Sequence, residues 1–484
     1  MPNITKDIFL KATDCLKRGW LILRDKANGV VNELSPDEKL RMEEGLEIGI
    51  RARNLYPQGR LISEKNIKKA AKLTRELISN DSVDVIFEAT FQSGDMVAKA
   101  DILKRDGHSW HLIEVKSGKE ATDEYIADIA YTFSVLRGSG LNVSAASLMC
   151  VSGDYRLGMG DEALFSEFDV TKQVLETAEG FETNRDSICK NLTLKKAPKA
   201  DFKLVCKGCG YFEDCVGKGI ANPIFNLPRI SLKLFDRLNA DNIKSIEEIP
   251  ASFDLTDNQE IVARSVRSGE TFISGKLKTA LETIVWPAYY LDFETIMTAL
   301  PLFKNVAPYE QLLTQYSLHI CSEPGKVVEH REYLAGHDKD YRRELAERLI
   351  EDLETKGSII VYHTFEKTMI SGLIKLFPDL KTQLTKIINR LVDLKAIINK
   401  HFYHPDFHGS YSIKVVLPVL VAEMSYKNLT IKNGGEAIAA FVDMIKGRYT
   451  KTAVNKIRKA LLEYCALDTM AMVKLHEKLV EIAL

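Results

Sequence analysis

The sequence carries almost no net charge, −1 over 484 residues, although 27% of them are charged. No global basic field therefore advertises nucleic-acid binding, and any basic surface has to be local. Long apolar runs are missing: none approaches about 18 residues, so no membrane-spanning helix is expected. The start, Met1-Pro2-Asn3-Ile4-Thr5-Lys6-Asp7, lacks the charged and then apolar regions of a signal peptide. Cysteine is scarce, eight in all and unevenly spread. That argues against a disulfide framework and for reduced thiols or metal ligands in a cytosolic protein. Internal repeats and low-complexity tracts are also lacking. What remains is an ordinary globular composition, 45% hydrophobic, in a chain long enough for about two to four domains.

Three of the cysteines fall together in Cys206-Lys207-Gly208-Cys209-Gly210-Tyr211-Phe212-Glu213-Asp214-Cys215. Thiols so close in sequence can converge on one metal centre, which leaves one ligand to be found elsewhere. Cys15, in Asp14-Cys15-Leu16-Lys17, is the best candidate. Four thiolates hold zinc or an iron–sulfur cluster equally well. Cys150, Cys189, Cys321 and Cys465 read as ordinary core or helix cysteines.

Residues 1–80 read mostly as helix, with Ser35 capping and Pro36 opening one of them. Arg60, Lys65, Lys68, Lys69, Lys72 and Arg75 read as a solvated helix face, with a phosphate-facing stripe as the alternative. Period-two apolar patterns mark strands at 83–91, 96–103 and 111–116, then a helix at about 121–137 and a strand at 143–151. Irregular polar sequence and a helix near 171–189 follow. Residues 217–285 read as a helical connector. Strands resume at 289–294, 315–320 and 327–333, then a helix at about 338–355, a strand at 358–362, and a last helix from about 452 to 482. This second run, β-β-β-α-β-α…α, is a ribonuclease-H-like order, a mixed sheet with helices on its faces.

Two constellations carry chemistry. Asp101 follows an apolar strand, and Ile113-Glu114-Val115-Lys116 puts Glu114 and Lys116 on one strand face. Two carboxylates suit Mg²⁺ or Mn²⁺, and a lysine beside them orients or deprotonates water and offers charge to a phosphorane. Taken alone, E-x-K equally describes an exposed surface pair. D…E-V-K between Cys15 and a C-x₂-C-x₅-C run resembles the RecB-like nucleases of the PD-(D/E)XK superfamily that carry an iron–sulfur cluster. The resemblance spans about residues 10–216. It implies a [4Fe–4S] cluster on Cys15, Cys206, Cys209 and Cys215, a divalent metal at Asp101 and Glu114, and Lys116 as catalytic lysine. Two departures stand out. The helix before the core has no histidine; it offers Glu44 and Glu47, which either stand in as a ligand or, the preferred reading, face solvent. Thr132 occupies the place of a substrate-holding glutamine. Glu88 on a neighbouring strand reads as a support behind the metal ligands or as plain surface.

The second constellation starts with Asp292-Phe293-Glu294, a pair of the type that holds two metal ions. In Glu463-Tyr464-Cys465-Ala466-Leu467-Asp468, Tyr464 and Asp468 share a helix face. Between them lies Val361-Tyr362-His363-Thr364-Phe365-Glu366. The three in order resemble the DEDDy exonucleases. The resemblance implies metal ligands at Asp292, Glu294, Glu366 and Asp468, with Tyr464 positioning the attacking water. Here glutamate stands for the usual aspartate at 366 and His363 stands near the asparagine place. Asp393 reads as a fifth acidic candidate or a cap. Tyr290 to Thr295, Gln315 to His319, Tyr403 to Asp406, Gly409 to Lys414 and Glu463 to Asp468 together resemble an uncharacterised bacterial family that joins the two nuclease types. Ser412, Tyr411 and Lys414 are candidates to touch phosphates, as is the basic run Lys446, Arg448, Lys451, Lys456, Arg458 and Lys459.

The expected fold is α/β: a restriction-endonuclease-like PD-(D/E)XK domain with an iron–sulfur clip (1–216), the connector (217–285), and a ribonuclease-H-like domain (286–484). The expected function is a metal-dependent nuclease acting on single-stranded DNA ends through two active sites. The alternatives are an RNA 3′–5′ exonuclease centred on Asp292, and a nucleic-acid-binding scaffold with weakened centres.

Overall fold

A computed structural model describes residues 3–30 and 33–484. The chain is mixed α/β and divides into two compact units, Met1–Val205 with Thr298–Glu310, and Cys206–Met297 with Gln311–Leu484. The connector thus belongs to the second unit, which also takes in the cysteine run.

In the first unit, helices α1 (Lys6–Asp14), α2 (Leu16–Ala27) and α3 (Pro36–Asn54) come first. Ser35 and Glu38 form a reciprocal capping box at the start of α3, with Pro36 in its first turn. A six-stranded sheet runs β1 (Arg60–Leu61), β2 (Val85–Ser93), β3 (Met96–Asp106), β4 (Ser109–Lys116), β5 (Val143–Val151) and β6 (Phe165–Asp169), with α4 (Ile67–Ile78) between the first two. Strands β2 to β4 are antiparallel. Helix α5 (Asp123–Gly138) carries the chain across to β5, which lies parallel to β4. Helix α6 (Thr171–Thr193) closes the unit. Alternation along the strands gives the sheet two apolar faces. Ile86, Leu103, Leu112 and Leu148 pack with α5 and α6, while Phe87, Ile102, Ile113 and Met149 pack with Ala52 of α3. Strand β6 falls in sequence that reads as irregular. It is a short edge strand of mostly polar residues, paired only to β5, so it never needed an apolar alternation.

Thr298–Glu310 adds a small cluster of its own, Ala299 and Leu300 against Ile48, Tyr155 and Leu164. Glu44 does not face solvent as expected. It is buried, and its Oε1 accepts from the backbone N–H of Ala299 at 3.1 Å. Glu47 does reach the surface and pairs with Arg51 at 2.8 Å.

The second unit begins with α7 (Phe212–Cys215), α8 (Leu232–Ala240), α9 (Asp257–Ser268), β7 (Phe272–Ile273) and α10 (Leu277–Leu281). Strands β8 (Ala288–Ile296), β9 (Leu312–Glu323) and β10 (Lys326–Leu334) make an antiparallel meander. Helix α11 (Arg342–Asp352) leads to β11 (Ile359–Val361), and α12 (Phe365–Leu376) and α13 (Lys381–Ile388) lead to β12 (Leu391–Asp393). Both later strands run parallel to β8, giving the order β10-β9-β8-β11-β12. Then come α14 (Leu394–His401), β13 (Phe402–Tyr403), α15 (Ile413–Leu420), α16 (Gly434–Ile445) and α17 (Lys451–Ala483). Strand β13 pairs with β7 of the connector.

The two faces of this sheet differ in chemistry. Tyr289, Leu291, Phe293, Tyr316, Leu318 and Ile320 bury an apolar face under α11, α12 and α13. The alternate residues are polar and turn toward α17: Gln315 Nε2 donates to Leu461 O at 2.9 Å, and Ser317 and His319 each lie 2.8 Å from the Thr469 hydroxyl. Tyr290 meets His476 in the same way, at 2.6 Å.

Gly357, just before β11, has φ +82°, and a Cβ there would lie 1.8 Å from Pro287 O. Gly357→Ala is expected to cost about 1–3 kcal/mol, read as a lower urea midpoint at unchanged slope; an unchanged midpoint contradicts the close approach.

Candidate active sites

In the first unit, β2 and β3 pair on either side of one step, Phe87 with Ile102 and Ala89 with Ala100. At the skipped step Glu88 takes a left-handed φ of 57° opposite Asp101. Both carboxylates line a cavity of about 320 Å³ with Lys116, Arg53, Gly45 and Gly49. Glu88 is therefore a lining residue of the site, oriented by Arg53 at 3.8 Å and Lys99 at 3.9 Å. Helix α3 contributes glycines where a ligand would be useful; a Cβ on either meets no atom within 4 Å.

Asp101 Oδ2 accepts from Val115 N at 2.9 Å. Burial, and then Glu114 beside it, push the Asp101 carboxyl up to about 7. Glu114 is buried, so the E-x-K pair is not a surface pair. Its Oε1 accepts from Lys6 Nζ at 2.6 Å and Lys116 Nζ at 3.3 Å, while its Oε2 is buried with no partner. Lys116 also pairs with Asp128, which lies 3.5 Å from Lys6. Burial works against the Lys116 charge, but Glu114 and Asp128 outweigh it and hold its pKa above the ordinary lysine range. Lys116 is thus a fixed cation here and a poor base. Thr132 is buried and its hydroxyl donates to the Asp128 carbonyl at 3.4 Å; the residues of α5 that reach the site are Asp128 and Tyr125, whose ring centre lies 5.2 Å from Lys116 Nζ. Sequence reasoning missed Asp128 and Lys6. Neither sits in a motif, although Asp128 lies one turn before Thr132 on the face that was being read.

In the second unit, Asp292, Glu294 and Asp468 bring ligand oxygens within 4.8 Å of one another, a group that fits a metal ion. Period two along β8 aims the first two at α17, and α17 supplies the third. Burial first, then Asp468, Glu294 and Glu366, raise Asp292 well above the carboxylate range. Burial and Asp468 push Glu294 up to about 8. Glu366, in the first turn of α12, is pushed up to about 7 by burial and by Asp393. Glu366 Oε2 is buried without a partner, an acceptor that a cation would satisfy. Tyr464 is buried beside these groups, and burial followed by Asp468 raises its pKa.

Three further contacts complete this site, and of the residues that make them only Tyr426 lies outside the segments singled out in the sequence. The Tyr426 hydroxyl donates to Asp468 Oδ1 at 2.6 Å. The Cys465 thiol lies 3.8 Å from Asp292 Oδ2. Lys414 sits over the rings of Tyr426 and Tyr464. His363 has a largely exposed side chain and lies 3.7 Å from Asp393. Asp393 caps α14, accepting from Ala396 N at 2.9 Å. Tyr411 is buried and not placed to touch phosphate, while Ser412 and Lys414 are exposed. Arg458 is structural, donating to the carbonyls of Ala335 and Leu334. Lys65, Lys68, Lys69, Lys72 and Arg75 are exposed.

Cys206 and Cys209 form a tight turn, with Cys209 N donating to Cys206 O at 3.1 Å across Gly208 at φ 77°. Cys215 ends α7, and Cys15 lies at the junction of α1 and α2 in the first unit. No disulfide involves any of the eight cysteines. Among the described residues the thiols of Cys206, Cys209 and Cys215 do not converge as the three carboxylates do, and no helix is long and apolar enough to cross a membrane.

Residues 289–412, which hold Asp292, Glu294 and Glu366, match a family described as Domain of unknown function (DUF2779). The chain is similar to the Uncharacterized protein MG366 of Mycoplasma genitalium, 24% identical over 225 residues, which is 42% of this chain and 33% of that protein. It is also similar to the Uncharacterized protein MG366 homolog of Mycoplasma pneumoniae, 25% identical over 229 residues, 42% and 34% of the two. The match spans about a third of the length of these curated relatives. No solved structure matches the chain.

The raised carboxyls set a pH dependence. Stability gained by keeping Glu294 and Glu366 protonated is fully present below the ordinary carboxylate pKa, and is lost as pH rises through about 7 and about 8. Glu294→Gln, which does not titrate, is expected to gain in Tm on wild type between about pH 5 and about pH 8 without divalent cations, and to lose that gain when Mn²⁺ is added. A Tm difference that stays flat over this range contradicts the assignment.

Proposed function

We propose that the protein is a divalent-metal-dependent nuclease that hydrolyses phosphodiester bonds at single-stranded nucleic-acid ends. The observation that carries this reading is the convergence of Asp292, Glu294 and Asp468 within 4.8 Å. The sheet order β10-β9-β8-β11-β12 supports a ribonuclease-H-like assignment for the second unit. Antiparallel β2 to β4 followed by parallel β5, with Asp101, Glu114 and Lys116 together, support a PD-(D/E)XK-type assignment for the first.

In the second unit Asp292, Glu294, Asp468 and Glu366 are the residues that would hold Mg²⁺ or Mn²⁺, which would polarise the phosphoryl oxygen and supply hydroxide near neutral pH. Tyr464, kept neutral by its raised pKa, offers a hydroxyl that orients the attacking water. Tyr426 fixes Asp468 through its 2.6 Å bond. In the first unit Glu114 Oε2 and Asp101 are the oxygens left for a cation, and Lys116 supplies a positive charge against a phosphate. Lys6 and Lys116 already engage Glu114 Oε1, and α3 adds no ligand. This favours a second reading in which cleavage is centred on Asp292 and the first unit grips substrate. The sequence resemblance also carries a proposed [4Fe–4S] cluster, to which Cys206, Cys209 and Cys215 of the second unit would bring thiolates.

With Mn²⁺ and end-labelled single-stranded DNA and RNA, Asp292→Ala is expected to lose at least about a hundredfold in cutting. Lys116→Ala separates the readings: loss of cutting assigns work to the first site, retention leaves it to the second. A wild type that binds but never cuts, in any divalent cation, refutes the nuclease. Protein purified without oxygen is expected to contain iron and acid-labile sulfide that Cys209→Ser loses; zinc in their place contradicts the cluster.

A further inference from the structure

Lys414 lies in the first turn of α15, exposed at the rim of the second unit's carboxylates. Its ammonium is 5.8 Å from the centre of the Tyr426 ring and 6.0 Å from that of Tyr464, with the two rings 6.2 Å apart and tilted by 56°. Its charge acts on the site, drawing down the carboxyls of Glu294 and Asp468 that burial pushes up. Yet among the described residues it makes no ion pair and no hydrogen bond. The lysines at the first unit's site, Lys6, Lys116 and Lys99, all pair with carboxylates.

A lysine held by two ring faces and bonded to no carboxylate keeps three donors for an anion. Ser412, the residue before α15, makes no side-chain cap; its carbonyl accepts from the Val415 and Val416 amides, which leaves those of Ile413 and Lys414 without a capping oxygen. An anion there would sit beside groups that already repel one another, so it needs a cation of its own. Phosphate on a nucleotide end meets that requirement, because it would also face whatever cation the carboxylates hold.

We propose that Lys414 binds the phosphate of the terminal nucleotide, with Tyr426 and Tyr464 holding its ammonium over the carboxylates. This rests on the nuclease reading and adds to it the group that the enzyme grasps. A lysine present only to neutralise carboxylates would behave differently: its loss would leave phosphate affinity unchanged.

The test uses the full chain, with thymidine 5′-monophosphate as probe and Mn²⁺ present, by titration calorimetry. Lys414→Ala is expected to weaken nucleotide binding about tenfold or more, while Mn²⁺ affinity measured without nucleotide holds or rises, since a nearby positive charge is gone. Lys414→Arg restores most of the nucleotide affinity. Equal affinity in wild type and Lys414→Ala overturns the assignment, as does a parallel loss of Mn²⁺ binding, which marks a structural role. A wild type that binds no nucleotide also overturns it. Cutting is scored in the same preparations: nucleotide binding through Lys414 without any cutting refutes the nuclease and leaves the phosphate assignment standing.

Discussion

Carboxylates repel, and three of them within 4.8 Å cannot all be charged in a metal-free protein. At an effective dielectric of about 20, each such pair costs roughly 3–4 kcal/mol. Three pairs cost about 10 kcal/mol, comparable with the whole stability of a domain, about 5–15 kcal/mol. Protons or a cation therefore have to occupy the Asp292–Glu294–Asp468 group, and the architecture of the second unit follows from that demand. The sheet reserves one face for an apolar core and gives the other to polar residues under α17. Without the long helix to seat Asp468 and to satisfy Gln315, Ser317 and His319, the strand carboxylates would have neither a third ligand nor a polar lid.

The first unit answers the same problem by another route. Glu114 is neutralised by two lysines, both of them also paired to Asp128. Removing a partner from such a buried pair leaves an uncompensated charge, which is costly. The network is a resting arrangement that keeps Lys116 protonated and leaves only Glu114 Oε2 of that carboxylate unbonded, whereas in the second site Glu366 Oε2 is unbonded and, among the described residues, no lysine or arginine pairs with the three carboxylates. Chemistry that needs an added cation finds more open oxygens in the second site than in the first.

Much of this was legible in the sequence, for a physical reason: period-two alternation and short spacing encode which residues share a face. The pairs Asp292 and Glu294, Glu114 and Lys116, and Tyr464 and Asp468 lie on single elements, so sequence spacing gives their geometry. Long-range partners are different. Lys6, Asp128 and Tyr426 meet their sites only through tertiary packing, with separations that no motif records. Glu44 was misread for the same reason. Its partners are the amides of Ala299 and Leu300, which follow it by some 255 residues and return to the first unit after β8. Thr132 stands at the place of the family's substrate-holding glutamine on helical register, yet the side chain that reaches Lys116 is Asp128, one turn away.

The most direct test is anomalous diffraction from crystals of the full chain grown with Mn²⁺. The account predicts an anomalous peak coordinated by Asp292, Glu294 and Asp468. Crystals with no peak there, and with the three carboxylates still in place, would contradict it.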